Sequence, residues 1–310
     1  MTVAIYIPSD ESSQEWRDRL ARLLPEMTVQ TFEEVTDPAA VHYAVVWKPP
    51  TGAIAGFANL RAVVSLGAGV DHVLEDRELP AHLPIIRTVG TDLTQRMREF
   101  VALQVLLHHR RLPEVLARQR AHVWEKLVTP PAPRRVVGVM GLGNIGAASA
   151  QALAGLGFDV RGWARSPHEI AGVTCFAGED GLAPFLAGCE ILVCLLPLTE
   201  STRAILNAAL FAQLAPGAVV INLARGPHLV VADLLEALAS GQLSGASLDV
   251  FETEPLPADD PLWDHPQIIV TPHVASFIDA ETGSRLVAAN IARFEAEGSV
   301  PDLADAGRGY

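Results

Sequence analysis

Apolar residues along this chain come in short unbroken runs rather than in strict alternation with polar ones. Ile191-Leu192-Val193-Cys194-Leu195-Leu196 is apolar throughout, as expected of a strand covered on both faces. Comparable runs read as strands at residues 3–7, 43–47, 62–66 and 84–89, then at 136–140, 159–163, 190–195, 218–222, 246–250 and 268–271. Helical periodicity fills several of the gaps, at residues 93–111 (Phe100, Leu103, Val105, Leu106 and Leu107 apolar), 147–156 and 281–297. Such alternation predicts parallel sheets with right-handed crossovers, so both halves read as doubly wound α/β units. The helix at 93–111 is read as the link between two lobes, and Pro130-Pro131-Ala132-Pro133 as a stiff loop before a central strand.

The central strand carries the most informative motif. Val136 to Met140 runs directly into Gly141-Leu142-Gly143-Asn144-Ile145-Gly146 and then into an alanine-rich helix. Gly-x-Gly-x-x-Gly between strand and helix fits a dinucleotide pyrophosphate. The glycines allow a tight turn, close backbone approach and helix–strand packing, and the helix N-terminus offers N–H groups to the phosphates. The motif starts mid-chain, so a full domain of other purpose precedes it.

Composition narrows the partners. The chain has 310 residues, enough for two domains, and 49% of them are hydrophobic. No apolar run approaches the roughly 20 residues of a membrane span. Residues 1–8 read as a first strand rather than a signal peptide. Cys175, Cys189 and Cys194 match no zinc or redox spacing, and an odd count of three argues against a disulfide framework. No metal site is expected, and a reducing cytoplasm fits. A formal charge of −13 argues against nucleic acid or an anionic membrane as partner. Individual arginines therefore matter for binding anions.

In open α/β sheets ligands bind beyond the carboxyl ends of the strands. Arg225 follows the run ending at Ala224, Glu254 lies shortly after Val250, and His273 follows Thr271-Pro272. Each alone is more often structural, as a surface Arg, a loop Glu or a capping His. Together beside a dinucleotide loop they suit hydride transfer to a 2-keto acid. Arginine is the permanently charged planar donor for a carboxylate and carbonyl. Histidine titrates in the right range to protonate the developing alkoxide, and a neighbouring carboxylate fixes its tautomer and favours its charged form. At the end of the second cofactor-domain strand, Trp163-Ala164-Arg165-Ser166, no acidic residue is present for a ribose 2′-OH. Arg165 and Ser166 suit a 2′-phosphate instead, so NADPH is expected over NADH.

Four motifs together strongly resemble the D-isomer-specific 2-hydroxyacid dehydrogenases: the glycine loop, Leu223-Ala224-Arg225-Gly226, the run Leu248-Asp249-Val250-Phe251-Glu252-Thr253-Glu254-Pro255-Leu256-Pro257, and Thr271-Pro272-His273-Val274-Ala275. The resemblance spans essentially the whole chain. Val45-Val46-Trp47-Lys48-Pro49-Pro50, Ser65-Leu66-Gly67-Ala68-Gly69-Val70-Asp71, Pro261-Leu262-Trp263 and the terminal Arg308-Gly309-Tyr310 look like the bacterial branch that reduces glyoxylate to glycolate and hydroxypyruvate to D-glycerate.

The resemblance implies that Arg225 orients the substrate, His273 is the acid–base and Glu254, rather than Glu252, is its carboxylate partner. It implies that Trp47, Ala68, Gly69 and Val70 border the substrate. Trp163, Leu196, Pro197, Leu223, Ala224 and Asp249 would join the glycine loop, Arg165 and Ser166 around the cofactor, with Asp249 at the nicotinamide carboxamide. A discontinuous flavodoxin-like substrate domain (residues 1–100 plus 280–310) and a Rossmann cofactor domain (residues 101–279) are expected. So is a homodimer through the cofactor domain, with residues 112–127, including Trp124, as the dimer arm. Relatives often carry Val-Ala-Glu on the linking helix where this chain has Met97-Arg98-Glu99, a departure that bears on pocket contacts rather than on the reaction.

Other assignments compete. A dehydrogenase of the same kind for a bulkier D-2-hydroxy acid fits the same motifs. A nucleotide-sensing, corepressor-like binding protein shares fold and residues, since fold does not imply function. A formate-type enzyme is disfavoured because it would carry Gln in place of Glu254.

Overall fold

The computed structural model describes residues 1–80 and 82–305, so the terminal Arg308-Gly309-Tyr310 motif lies outside the described residues. The chain divides into two compact units. One comprises Met1–Leu93 with the chain from Ile278 on, and the other is Thr94–Phe277. The first boundary falls inside the helix Thr91–His109, which carries the chain from one unit into the next.

The first unit is built on β1 (Thr2–Tyr6), β2 (Thr28–Thr31), β3 (Val41–Val46), β4 (Ala62–Ser65) and β5 (Ile85–Arg87), in the order β2-β1-β3-β4-β5. Every pairing is parallel. This is the flavodoxin-like order. The core on one side of this sheet gathers Ala4, Val41, Ala44, Val46, Val63 and Ile85 with Val70 and Val73. The closing helix Ala280–Glu297 starts on an Asp279 cap whose side chain accepts from Thr282 N–H. It returns to the unit through Glu295, which bonds Tyr43 and lies 2.6 Å from Arg61 Nη1.

The second unit contains β6 (Val136–Met140), β7 (Asp159–Ala164), β8 (Val173–Ala177), β9 (Ile191–Cys194), β10 (Ala218–Asn222), β11 (Leu243–Leu248) and β12 (Ile268–Val270). Their order is β12-β11-β10-β9-β6-β7-β8, again parallel throughout. From β6 outward this is the doubly wound Rossmann arrangement with one added strand. Alternate residues of one strand feed two different cores: Ile191 and Val193 of β9 join Val137, Val139 and Ile221, while Leu192 and Cys194 join Met140, Val220 and Leu248. Burial on both faces is why these strands read as unbroken apolar runs.

Two strands depart from the sequence reading, β2 and β8. Both stand at sheet edges, where one side has no neighbouring strand. β2 reads Thr-Val-Gln-Thr and has only its last residue buried, and no residue of β8 is fully buried.

Candidate active site

The glycine loop has the shape its sequence requires. Gly141 has φ +98°, a conformation that L side chains rarely adopt, and a Cβ on Gly146 would stand 1.8 Å from the Gly141 carbonyl oxygen. These two glycines are obligatory for the turn and for the helix packing on it. Gly143 is different: a Cβ there would meet nothing within 4 Å. It caps the helix Asn144–Gly155 without a side-chain hydrogen bond to the first turn. That open, positively polarised helix start fits a pyrophosphate. Gly143 and Asn144 are exposed, Leu142 and Gly146 buried, and Ile145 half-buried.

The other expected cofactor residues line the same sheet edge. Trp163 is the last but one residue of β7, its Nε1–H donating to the Gly178 carbonyl at 2.8 Å, and Arg165 and Ser166 follow the strand, both exposed. Leu196 and Pro197 lie just beyond β9, and buried Leu223 and Ala224 just beyond β10.

β10, β11 and β12 are neighbours and run parallel, so Arg225, Glu254 and His273 all emerge at one edge. Gly226 brings the first two segments into contact. A Cβ on Gly226 would stand 1.9 Å from the Phe251 carbonyl carbon and 2.2 Å from the Glu252 nitrogen. Beyond that contact Glu254 is clamped between two donors. Oε1 accepts the Phe251 N–H at 3.0 Å and Oε2 faces His273 Nδ1 at 2.9 Å. A carboxylate accepts only, so Nδ1 carries the hydrogen in this pair. The two side chains are 30% and 17% exposed, open enough for a ligand and sheltered enough for the pair to persist.

Asp249, expected near the nicotinamide, is 1% exposed. Its Oδ1 accepts from Thr271 Oγ1 at 2.5 Å and Val274 N–H at 3.0 Å, and Oδ2 from Ala275 N–H at 2.9 Å. Its carbonyl oxygen accepts the His273 N–H at 2.8 Å. His273 has φ +54°, a left-handed conformation unfavourable for a non-glycine residue. Four hydrogen bonds to one residue hold it there, a constraint that sequence spacing did not disclose.

The expected substrate residues of the first unit also gather. Trp47 is half-buried at the end of β3 and lies over Gly67, whose Cβ would come 3.1 Å from Trp47 Cζ3. Its ring centroid is 4.7 Å from that of His72. In the loop carrying Ala68, Gly69 and Val70 the carbonyls are drawn inward. Ser65 Oγ donates to the Gly69 oxygen at 2.9 Å, and the Thr88 N–H is 3.1 Å from the Ser65 and Gly67 oxygens. Ser65 and Thr88 are fully buried. The sequence reading assigned them nothing, because their polarity matters only once the loop is folded over them.

A glycine-rich strand–turn–helix at the head of a parallel sheet, with a carboxylate–imidazole pair three and four strands along, defines a doubly wound α/β fold of the dinucleotide-binding class. The class becomes a family by sequence: residues 102–275 match the NAD binding domain of the D-isomer specific 2-hydroxyacid dehydrogenases. The chain belongs to that family. It is 42% identical, over the full length of both chains, to glyoxylate/hydroxypyruvate reductase A of Serratia proteamaculans. A D-isomer specific 2-hydroxyacid dehydrogenase of Xanthobacter autotrophicus Py2, solved with NADPH and MES, superposes with a TM-score of 0.93 at 43% identity, covering 100% of this chain and 99% of that one. The NADPH-dependent glyoxylate/hydroxypyruvate reductase of Sinorhizobium meliloti, solved with NADP and sulfate, matches with a TM-score of 0.93 at 41% identity and the same coverage.

Proposed function

We propose that this protein reduces small 2-keto acids, glyoxylate and hydroxypyruvate foremost, with NADPH. Family membership, the names of relatives similar over the whole chain and the NADPH-bound and NADP-bound neighbours support the reaction and the cofactor. The observation that carries the assignment of residues is the 2.9 Å contact between Glu254 and His273 Nδ1, on the sheet edge that also carries Arg225.

NADPH supplies the hydride when bound. Its pyrophosphate suits the glycine loop and the open helix start at Gly143, and Arg165 with Ser166 suits the 2′-phosphate. Arg225 pairs with the keto acid through its guanidinium, a fork that matches carboxylate and carbonyl oxygens. His273 gives the Nε2 proton to the alkoxide oxygen. Glu254 holds the ring by Nδ1 and so fixes its orientation. On this reading Trp47, Ala68, Gly69 and Val70 are substrate residues, the unit that holds them is the substrate domain, and Thr94–Phe277 is the cofactor domain.

The same reading includes a homodimer through the cofactor domain. Its support is a segment with uncovered apolar side chains, Leu112, Val115 and Leu116 on the helix Leu112–Arg120, then Trp124 at 99% and Val128 at 87% exposure. Light scattering of the wild type and Trp124→Glu tests this: a dimer and a monomer support it, a monomeric wild type refutes it. A cytoplasmic location fits three free cysteines and is checked by fractionating the native host.

The deciding experiment is steady-state turnover of a 2-keto acid panel of graded size with NADPH and NADH. Highest kcat/KM for glyoxylate or hydroxypyruvate is expected. Preference for a bulky keto acid would reassign the substrate, and no turnover of any member would point to a nucleotide-binding regulator.

A further inference from the structure

His228 is fully buried three residues beyond Arg225, and the reaction above gives it no part. Its ring stands between two segments that do have parts. Nδ1 lies 3.2 Å from the Arg225 backbone nitrogen and 3.1 Å from the Arg225 carbonyl oxygen, and Nε2 lies 3.2 Å from the Pro197 carbonyl oxygen. With its hydrogen on Nε2 a neutral imidazole accepts the Arg225 N–H at Nδ1 and donates to Pro197 from Nε2. The segment around the ring is fixed as well. The His228 carbonyl accepts from Leu206 N–H at 2.9 Å, and the Pro227 carbonyl from Ala204 N–H at 2.9 Å.

Asn222, fully buried at the end of β10, holds the opposite side of the same turn. Its Nδ2 donates to the Arg225 carbonyl at 2.9 Å, and its Oδ1 accepts the Ala224 N–H at 3.2 Å. The backbone of Arg225 is thus gripped from both sides by buried polar side chains. Of the two, only His228 reaches onward, to the loop after β9. An aliphatic side chain would fill the space, but it would leave the Arg225 N–H and the Pro197 carbonyl without this link. An arginine side chain turns about four torsions, so a fixed backbone is a precondition for presenting its guanidinium at one position. Misplacing a binding group by about 1 Å costs about 100-fold in rate.

We propose that His228 is a positioning residue, locking the backbone of Arg225 to the Leu196-Pro197 loop so that the guanidinium is presented to the keto acid at one fixed place. This rests on the reading that Arg225 binds the keto acid. The test is a double-mutant cycle. His228→Leu and His228→Asn, which keeps an acceptor near the Nδ1 position, are each made in the wild type and in Arg225→Ala. For each variant kcat and KM for hydroxypyruvate, the Kd for NADPH from nucleotide fluorescence, and the thermal midpoint are measured.

In the wild-type background His228→Leu is expected to lower kcat/KM roughly 10- to 100-fold, mostly through KM, with His228→Asn recovering part of the loss. The Kd for NADPH is expected to change less than about threefold. In the Arg225→Ala background the same change should cost less than about threefold, because the group being positioned is gone. Equal costs in both backgrounds would overturn the proposal and leave the reading of Arg225 standing. Near-native kcat/KM in Arg225→Ala alone would remove that reading and the proposal with it. If His228→Leu does not fold, the cycle with His228→Asn decides by the same criterion.

Discussion

Gly226 and Phe251 are packed so closely that a single methyl on Gly226 would fall 1.9 Å from the Phe251 carbonyl carbon. The turn that carries Arg225 is therefore seated against the loop that carries Glu254, with backbone on the far side and no flexible side chain to yield. Gly226→Ala must push the two apart. We expect it to cost about 1–3 kcal/mol of stability by overpacking, and to lower kcat/KM more than the stability loss explains. Urea unfolding and kinetics on the same sample check this. A stable variant with native kcat/KM would show that the two segments move independently.

Glu252 and Glu254 stand two residues apart, yet the structure gives His273 Nδ1 to Glu254. Glu254→Gln replaces a charged acceptor with a neutral one and is expected to lower kcat roughly 10- to 100-fold, less than the roughly 100- to 10,000-fold of a group that transfers the proton itself. Glu252→Gln should leave kcat nearly native. The opposite ranking would place the carboxylate partner at Glu252.

Arg165 follows β7, where the 2′-phosphate of NADPH is proposed to lie. A charge-assisted hydrogen bond contributes about 1.5–3 kcal/mol, so NADPH should be preferred over NADH by roughly 10- to 100-fold in kcat/KM. Arg165→Ala should erase most of that preference by weakening NADPH use alone. Because Arg165 is exposed, added salt should erode NADPH binding more than NADH binding. Equal damage to both cofactors would assign Arg165 to the fold or to the adenine side.

Away from the site, His108 Nε2 lies 2.8 Å from Ser247 Oγ, and Ser247 donates its own hydrogen to Gln104 Oε1 at 2.8 Å. Nε2 is thus the donor, and burial pushes the imidazole from 6.5 down to about 4. An unfolded chain takes up that proton below about pH 6.5, while the folded one resists until about pH 4. The stability from a neutral His108 is complete above about pH 6.5 and is lost as pH falls toward about 4, with a slope of at most ~1.4 kcal/mol per pH unit. His108→Gln should flatten the fall in unfolding free energy between pH 6.5 and 4.5. An unchanged slope would mean that other groups set the acid sensitivity.

The sequence was most legible where chemistry follows directly on an apolar run. Arg225 and Glu254 come shortly after largely buried strands and His273 after a short apolar one, and parallel neighbours bring such residues to one edge without further information. The glycine loop was legible for the same reason, bounded by strand and helix. The edge strands β2 and β8 were not, because partly exposed strands carry no continuous apolar signal. Nor were the tasks of Asn222, His228 and Asp249. Each bonds backbone groups whose direction is set only when the turn is folded.

Reduction of a keto acid by NADPH, with His273 as proton donor and Arg225 as substrate anchor, is the proposal on which the other expectations depend. It is tested most directly by following NADPH absorbance on adding hydroxypyruvate to the wild type, His273→Ala and Arg225→Ala. NADPH affinity is measured on the same samples by fluorescence. The wild type is expected to oxidise NADPH rapidly. In His273→Ala kcat should fall about 100- to 10,000-fold, whereas Arg225→Ala should raise KM for the keto acid as well as lower kcat. NADPH should bind all three alike. Near-native turnover in either variant, or a wild type that binds NADPH and reduces no keto acid, would contradict it.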